Sequence, residues 1–534
     1  MTGTSGASGT SGAGGAGGGS GPAADEGWRR LDPRTVWLTA VLTGGAVCGA
    51  AVPATVVLGR DIGFGAALSW VLPVAALLIL LSPLTGLLHR RSVRYRITDE
   101  FVEVRVDVVL SSGRKLRRER LRTVDVTAGP LHRLFGLAEL TAGTGQNGED
   151  NKERVKLAPL NRHEAERLRR SLLNQPEPET AVAGPHLLAA IDWSWLRYAP
   201  VSFAAPAIGA VVVGLALRIV GRFDLEESAL EYVAGVLGDG GIWPAVLALV
   251  AAGLAVGMLG SLVWFVEQWW DYRLEREPGG ATLLCRRGLF TTRSVSIEQR
   301  RLRGVDVAEP LGSRPFGAAR VDAVGTGIRT GDDDKKAAGY GTLLPAAPRE
   351  TADRVAASVL REEAGPLAVP LRAHPAAARR KRVVWAVTAV PALCLTLTLV
   401  GAALPGALPS TMWIAVWTVA VVLSPAAVLL GLDAYRSLGH ALSGAYVVIR
   451  SGTLTRRTVA LQRSGVIGWK IRQSVFQRRA GLISVTALTP AGSGAYTVRD
   501  TAEADGIGFA GTAVPGLLDQ FLAPSDSRPN RPDS

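Results

Sequence analysis

Six long apolar runs, grouped in three close pairs, limit what this chain can fold into more than any other feature. Residues 35–58 and 66–88 are separated only by a short polar turn around Arg60 and Asp61; 198–220 and 242–266 form a second pair, and 383–404 and 412–432 a third. Each run reaches the roughly 20 residues that a helix needs to cross the hydrocarbon core of a bilayer. Glycine and proline occur inside the runs, which spanning helices tolerate better than soluble ones. The competing reading, buried helices of a large soluble core, fits poorly with so many spanning lengths in tight pairs. Tryptophan points the same way: of 13, only Trp469 lies away from the runs and their flanks. Trp193 and Trp195 sit at the start of the third run, and Trp264, Trp269 and Trp270 at the end of the fourth, where amphipathic rings collect at the headgroup level.

The flanks predict an orientation. Arg29, Arg30 and Arg34 precede the first run, His89, Arg90, Arg91, Arg94 and Arg96 follow the second, and Arg379, Arg380, Lys381 and Arg382 precede the fifth. The turns within pairs carry little positive charge, and the longest holds Asp224, Glu226, Glu227 and Glu231. The positive-inside rule therefore places both termini and all three segments between and after the pairs in the cytoplasm. The net charge of +13 is then mostly a matter of topology, and nucleic acid is not required as a partner. Arg218, near the end of the third run, reads as a snorkelling interfacial residue rather than part of a substrate path. Gly45-x-x-x-Gly49 and Gly253-x-x-x-Gly257 are spacings that let helices approach closely.

The segments following the pairs repeat one another. "RLRTVDVTAGPLHRLFGLAEL" begins at Arg120 and "RLRGVDVAEPLGSRPFGAARV" at Arg301, and they align without a gap at an offset of 181 residues. The shared positions include Val126/Val307, Arg133/Arg314, Phe135/Phe316 and Gly136/Gly317. A looser third copy keeps Arg478 and Gly481 but has Ala480 at the aromatic position. Around this phrase, Val102, Val104, Val106 and Val108 alternate with polar residues as in a half-buried strand, and Ala165, Leu168 and Leu172 share one face of a helix. Strands first and one amphipathic helix last suggest a small β-sandwich or open barrel capped by a helix. In that frame the phrase spans two strands and their turn. Val124, Val126, Phe135 and Leu137 are expected to pack inward, with Phe135 and Phe316 as equivalent core anchors and Gly136 supplying a backbone geometry that a side chain would obstruct.

The ordering of a strand, "SGxLxRR", an Arg/Gln-rich strand and "R-x-x-G-L" resembles bacterial pleckstrin-homology-like (PH-like) domains of the membrane-associated kind. The resemblance implies PH-like domains that follow paired transmembrane helices, several copies to a chain, in the bacterial cell membrane, with no phosphoinositide specificity implied. It departs in the first copy, where "VVLSSGRK" lacks the glycine kept by Gly288-Leu289 and Gly452-Thr453-Leu454, and in polar insertions within the first two copies. The expected fold class is a membrane α + β protein of six transmembrane helices in three hairpins, each hairpin followed by a cytoplasmic PH-like domain. The boundaries are a disordered tail 1–27, hairpin 28–90, domain 91–176, linker 177–191, hairpin 192–270, domain 271–364, linker 365–381, hairpin 382–437, domain 438–523 and a disordered tail 524–534.

No catalytic constellation accompanies the repeat. Six histidines are scattered, Cys48, Cys285 and Cys394 lie far apart, and Asp332, Asp333 and Asp334 sit among Gly and Lys as in a solvated loop. Neither a metal site, a disulfide nor a cofactor is expected. The chain reads as a non-enzymatic membrane protein presenting three PH-like modules to the cytoplasmic leaflet, with anionic lipid headgroups or an unidentified membrane or cytoplasmic protein as partner. A second copy of the chain is a further candidate partner. A transporter or export accessory built on the repeated hairpins is the alternative, weakened by spans almost devoid of charge. The candidate lipid-binding residues are Arg114, Lys115, Arg117, Arg118, Arg120 and Arg122. Strand alternation lets Arg118, Arg120 and Arg122 share a face, and a plain positive-inside surface competes with that reading.

Overall fold

The apolar runs form helices. The computed structural model describes residues 28–98, 100–107, 111–117, 123–143, 154–172, 185–202, 204–222, 235, 242–328, 341–403 and 410–521. The chain divides into two compact units, Met1–Arg118 and Glu119–Ser534. Both predicted tails, the acidic run at 332–334 and the acidic turn at 224–231 lie outside the described residues.

In the first unit, helices α1 (Arg34–Ile62) and α2 (Phe64–Ser92) are joined by Gly63 alone. Its φ of 87° lies where side chains are strained, so glycine permits the reversal. Beside them stand strands β1 (Arg29–Arg30), β2 (Val93–Ile97), β3 (Phe101–Asp107) and β4 (Ser111–Arg117), paired antiparallel in that order. Val102 and Val104 are buried while Glu103 is half-buried, which is the alternation the sequence predicts for this strand.

Among the described residues the second unit carries three sheets. The first runs in the order β7 (Arg154–Asn161), β6 (Leu137–Gly143), β5 (Thr123–Ala128), β11 (Thr292–Glu298), β10 (Thr282–Arg287), β9 (Arg273–Arg276) and β8 (His186–Ala190). The second runs β14 (Thr342–Pro348), β13 (Ala318–Gly325), β12 (Leu302–Pro310), β17 (Thr455–Gln462), β16 (Tyr446–Ser451) and β15 (Gly439–Ser443). The third holds β18 (Gly468–Arg472), β19 (Leu482–Leu488) and β20 (Ala495–Ala502). The helices are α3 (Pro130–Leu134), α4 (Arg162–Leu172), α5 (Ala204–Arg222), α6 (Ile242–Trp269), α7 (Arg349–Leu360), α8 (Ala376–Ala403), α9 (Ser410–Arg436), α10 (Val475–Arg479) and α11 (Glu503–Ala513).

Among the described residues six helices, α1, α2, α5, α6, α8 and α9, are long and apolar enough to cross a membrane. Their apolar side chains are scarcely buried inside the protein, as suits a surface solvated by lipid tails. The two glycine spacings differ in outcome. A Cβ on Gly257 would lie 2.1 Å from the Ala205 carbonyl oxygen, and one on Gly209 2.2 Å from that of Gly253, so α5 and α6 meet backbone to backbone. Gly45 and Gly49 face open space.

Each repeat contributes a first-half and a second-half sheet. In the second repeat, Leu283, Cys285, Val295 and Ile297 from the first half share one core with Val305, Val307, Val321 and Leu344 from the second. Helix α7 covers the second half with Val355 and Val359. Burying each such side chain contributes about 1.5–3 kcal/mol. The sheets, however, are not confined to single repeats. Strand β5 of the first repeat pairs with β11 of the second, and β12 of the second pairs with β17 of the third. A sandwich standing alone would leave these edges unpaired and open to unwanted pairing; here the neighbouring repeat occupies them.

Candidate interaction surfaces

The repeated phrase is the joint between modules. In each copy a strand leads into a short helical turn, ends on a glycine with φ of 68° (Gly136), 67° (Gly317) or 63° (Gly481), and turns back into the next strand. The glycine expectation therefore holds. The aromatic expectation does not: Phe316 is 61% exposed and Phe135 only half-buried. Each stands at the end of its helical turn, Phe316 as the last residue and Phe135 as the cap after Leu134, immediately before the glycine that reverses the backbone. Val124, Leu137, Val305 and Val307 supply the core instead, with Val126 half-buried.

The arginine of the phrase reaches into the next module. The Arg133 guanidinium donates to the Leu289 carbonyl, and that of Arg314 donates to the Thr453 carbonyl at 3.2 Å. Leu289 and Thr453 are equivalent, each following a glycine, Gly288 (φ 110°) or Gly452 (φ 125°), whose Cβ would collide with a backbone oxygen at 2.0 or 1.9 Å. Arg314 also pairs with Asp433 on α9 at 2.6 Å. Arg478, in the last copy, is exposed and makes no side-chain hydrogen bond or ion pair among the described residues.

Buried charge reinforces the joints. Arg169 on α4 donates to Ser296 (2.7 Å) and to Glu166 and Glu277 (2.8 and 2.9 Å), tying the first repeat to the second. Asp306 on β12 meets Arg457 on β17 at 2.8 Å and lies opposite Asp322. Burial pushes the Asp306 carboxyl up to about 6 against the pull of Arg457.

Only part of the predicted basic stretch lies among the described residues. Arg118, Arg120 and Arg122 lie outside the described residues. Arg114, Lys115 and Arg117 fall on β4. Lys115 is paired with Glu103 at 2.7 Å and stands over the Phe101 ring, and Arg117 stands near the same ring.

A denser arrangement, missed in the sequence, joins α8 to the third module. Buried Asp500 (φ 57°) accepts hydrogen bonds from Lys381 (2.6 Å), Gln477 (2.8 Å) and Arg382 (3.4 Å). Burial works against its carboxylate, but the bonds from Lys381 and Gln477 and the two cations outweigh it and hold the pKa below the ordinary value. Next to it the His374 and His440 rings contact at 3.2 Å. Burial, then the charges of His374 and Arg372, push His440 down to about 4, and burial lowers His374 as well. More than a hundred residues separate Asp500 from Lys381, so no local spacing could have revealed them.

Beside this network opens a groove of about 960 Å³ between α8, α9 and α10. Arg379, Arg380, Lys381 and Arg479 line its polar end, and Trp385 and Phe476 its apolar wall. Arg379, Arg380 and Arg479 make no side-chain hydrogen bond or ion pair among the described residues, and Trp385 and Phe476 are exposed. No group of three or more His, Cys, Asp or Glu that could hold a metal occurs among the described residues.

Comparison with known proteins fits this architecture. A family model described as bacterial PH domain matches residues 50–176, 207–363 and 391–508. The UPF0699 transmembrane protein YdbT of Bacillus subtilis (strain 168) is 21% identical over 439 residues, covering 78% of this chain and 83% of that protein. No solved structure matches. Each matched stretch starts within a membrane-length helix and runs through the strands that follow it. The chain belongs to the bacterial PH domain family.

Proposed function

We propose that this chain is a non-enzymatic multi-pass protein of the bacterial cell membrane, with both termini cytoplasmic, whose linked PH-like modules form a platform held against the anionic inner leaflet. The observation that carries this reading is the groove at the module-side end of α8 and α9. Three arginines without acidic partners among the described residues lie where membrane-length apolar helices end, next to exposed Trp385 and Phe476. That combination suits an anionic phospholipid, phosphate among the arginines and acyl chain along the apolar wall. Near a charged leaflet each basic residue contributes about 1 kcal/mol, so three supply about 3 kcal/mol, roughly a hundredfold in local lipid preference. Strand β4 contributes less in this reading, because Lys115 is already neutralised by Glu103.

The test is extraction of the full chain from bacterial membranes in polymer nanodiscs, followed by mass spectrometry of the retained lipids. Anionic lipids should be enriched over bulk membrane, and the Arg379→Ser/Arg380→Ser/Arg479→Ser variant should lose that enrichment. Equal lipid composition in both would leave the arginines with a topological role only.

A further inference from the structure

Among the described residues one module-to-module joint occurs twice, and the donor half of the same joint occurs a third time without a paired strand. Val305 and Arg314 stand 181 residues after Val124 and Arg133, and Gly452, Thr453, Ala460 and Arg478 stand 164 residues after Gly288, Leu289, Ser296 and Arg314. With these offsets the two internal pairings have the same register: Val124 lies opposite Ser296, and Val305 opposite Ala460. The arginine contacts to Leu289 and Thr453 are equivalent too. Strand β18 occupies in the third module the place of β5 and β12. Among the described residues it pairs only with β19, and its outer residues Lys470, Ile471 and Arg472 are exposed.

We propose that the β18 edge together with Arg478 is a docking surface for the first-half sheet of a PH-like module on a different polypeptide, joined by antiparallel strand pairing and with an acidic residue opposite Lys470. The type of partner follows from continuity with the two internal joints, since each is a β5-like or β12-like edge filled by a first-half sheet. The charge follows from the residue at the centre of the strand. The internal joints have Asp125 and Asp306 there, and Asp306 pairs with Arg457 of the strand it receives. In β18 that position is Lys470, with Arg472 two residues on, so the complementary strand is acidic.

A second copy of this chain does not meet the requirement. Among the described residues its remaining first-half edge is β4, which stands at the position of β11 and carries Arg114, Lys115 and Arg117. The shared register would set Arg114 against Lys470, and like charges directly opposite are destabilising. The position of the receiving glycine, Gly288 or Gly452, is Asp107 in the first copy. The proposal does not rest on the lipid groove, whose polar end is lined by Arg379, Arg380, Lys381 and Arg479 and not by Arg478 or β18.

The experiment uses the full chain in nanodiscs, carrying Cys48→Ser and Arg472→Cys, and a synthetic hairpin of residues 446–462. The hairpin contains the Gly452 turn and carries Arg457→Cys together with either Val459→Glu or Val459→Lys. Disulfide capture should favour the Glu hairpin by about tenfold, as expected between attractive and repulsive cross-strand pairs. It should fall when the cysteine is moved to position 456 or 458, and weaken in Arg478→Ala. Lys470→Glu should reverse the preference between hairpins, which separates charge recognition from damage to the module. Equal capture of both hairpins, or capture of neither, would overturn the proposal. So would efficient chain-to-chain crosslinking of Arg114→Cys with Lys470→Cys, which would identify a second copy as the occupant.

Discussion

Asp500 offers the sharpest test of how the third module is held to its helices. Replacing it with Ala removes the acceptor for Lys381, Arg382 and Gln477 at once and leaves two cations facing each other without a counter-charge. Losing one member of a fully buried pair costs about 3–5 kcal/mol. Here the side chains of Lys381 and Arg382 remain 25% and 18% exposed, so water recovers part of the loss and about 3 kcal/mol is expected. Ala must also adopt a positive φ, adding about 1 kcal/mol. Asn tolerates that backbone and keeps an acceptor, so Asp500→Asn should recover roughly half of the loss. Thermal melting of the full chain in detergent, followed by tryptophan fluorescence, should show a drop of roughly 5–10 °C for Asp500→Ala. Lys381→Met combined with Asp500→Ala should cost less than the sum of the two, since they share one interaction. Because this carboxyl has its pKa lowered on folding, its contribution is present above the unfolded value near pH 4 and disappears as pH falls through the folded one. Melting temperatures for Ala and Asn variants within about 1 °C of the parent would refute the idea that this network anchors the module.

The histidine pair should act in a different pH window. An unfolded His440 binds a proton near pH 6.5, whereas the folded one resists until about 4, so stability is complete above about 6.5 and declines toward 4, by on the order of 3 kcal/mol. Asp306, raised to about 6, slopes the opposite way, so the readout is the difference in melting temperature between pH 7.5 and 5 for the parent and for His440→Gln, which should flatten the His440 part. The exposed Phe316 predicts that Phe316→Ser changes stability by less than about 0.5 kcal/mol, while Val305→Ala costs about 1–3 kcal/mol; denaturant melts of the two variants should separate clearly.

The sequence by itself determined the spans, the repeat and the module type. Apolar length is a local property set by bilayer thickness, and the glycines at 136, 317 and 481 announce a left-handed turn because no other residue adopts it cheaply. Strand alternation in β3 was likewise readable, since one face is buried and the other is not. Which hydrophobic residue of the phrase enters the core was not readable. Phe316 and Val307 look equally apolar, and only the helical turn before Gly317 sends the aromatic outward. The identity of the joints also needed the tertiary structure. Edge pairing between β5 and β11, or between β12 and β17, is made by backbone groups that all residues but proline share, so the residue types alone do not say which strand is the neighbour. The ties made by Asp500, Arg169 and Arg314 connect residues more than a hundred positions apart. Such long-range charge pairs carry no periodicity, and only the folded chain brings them within bonding distance.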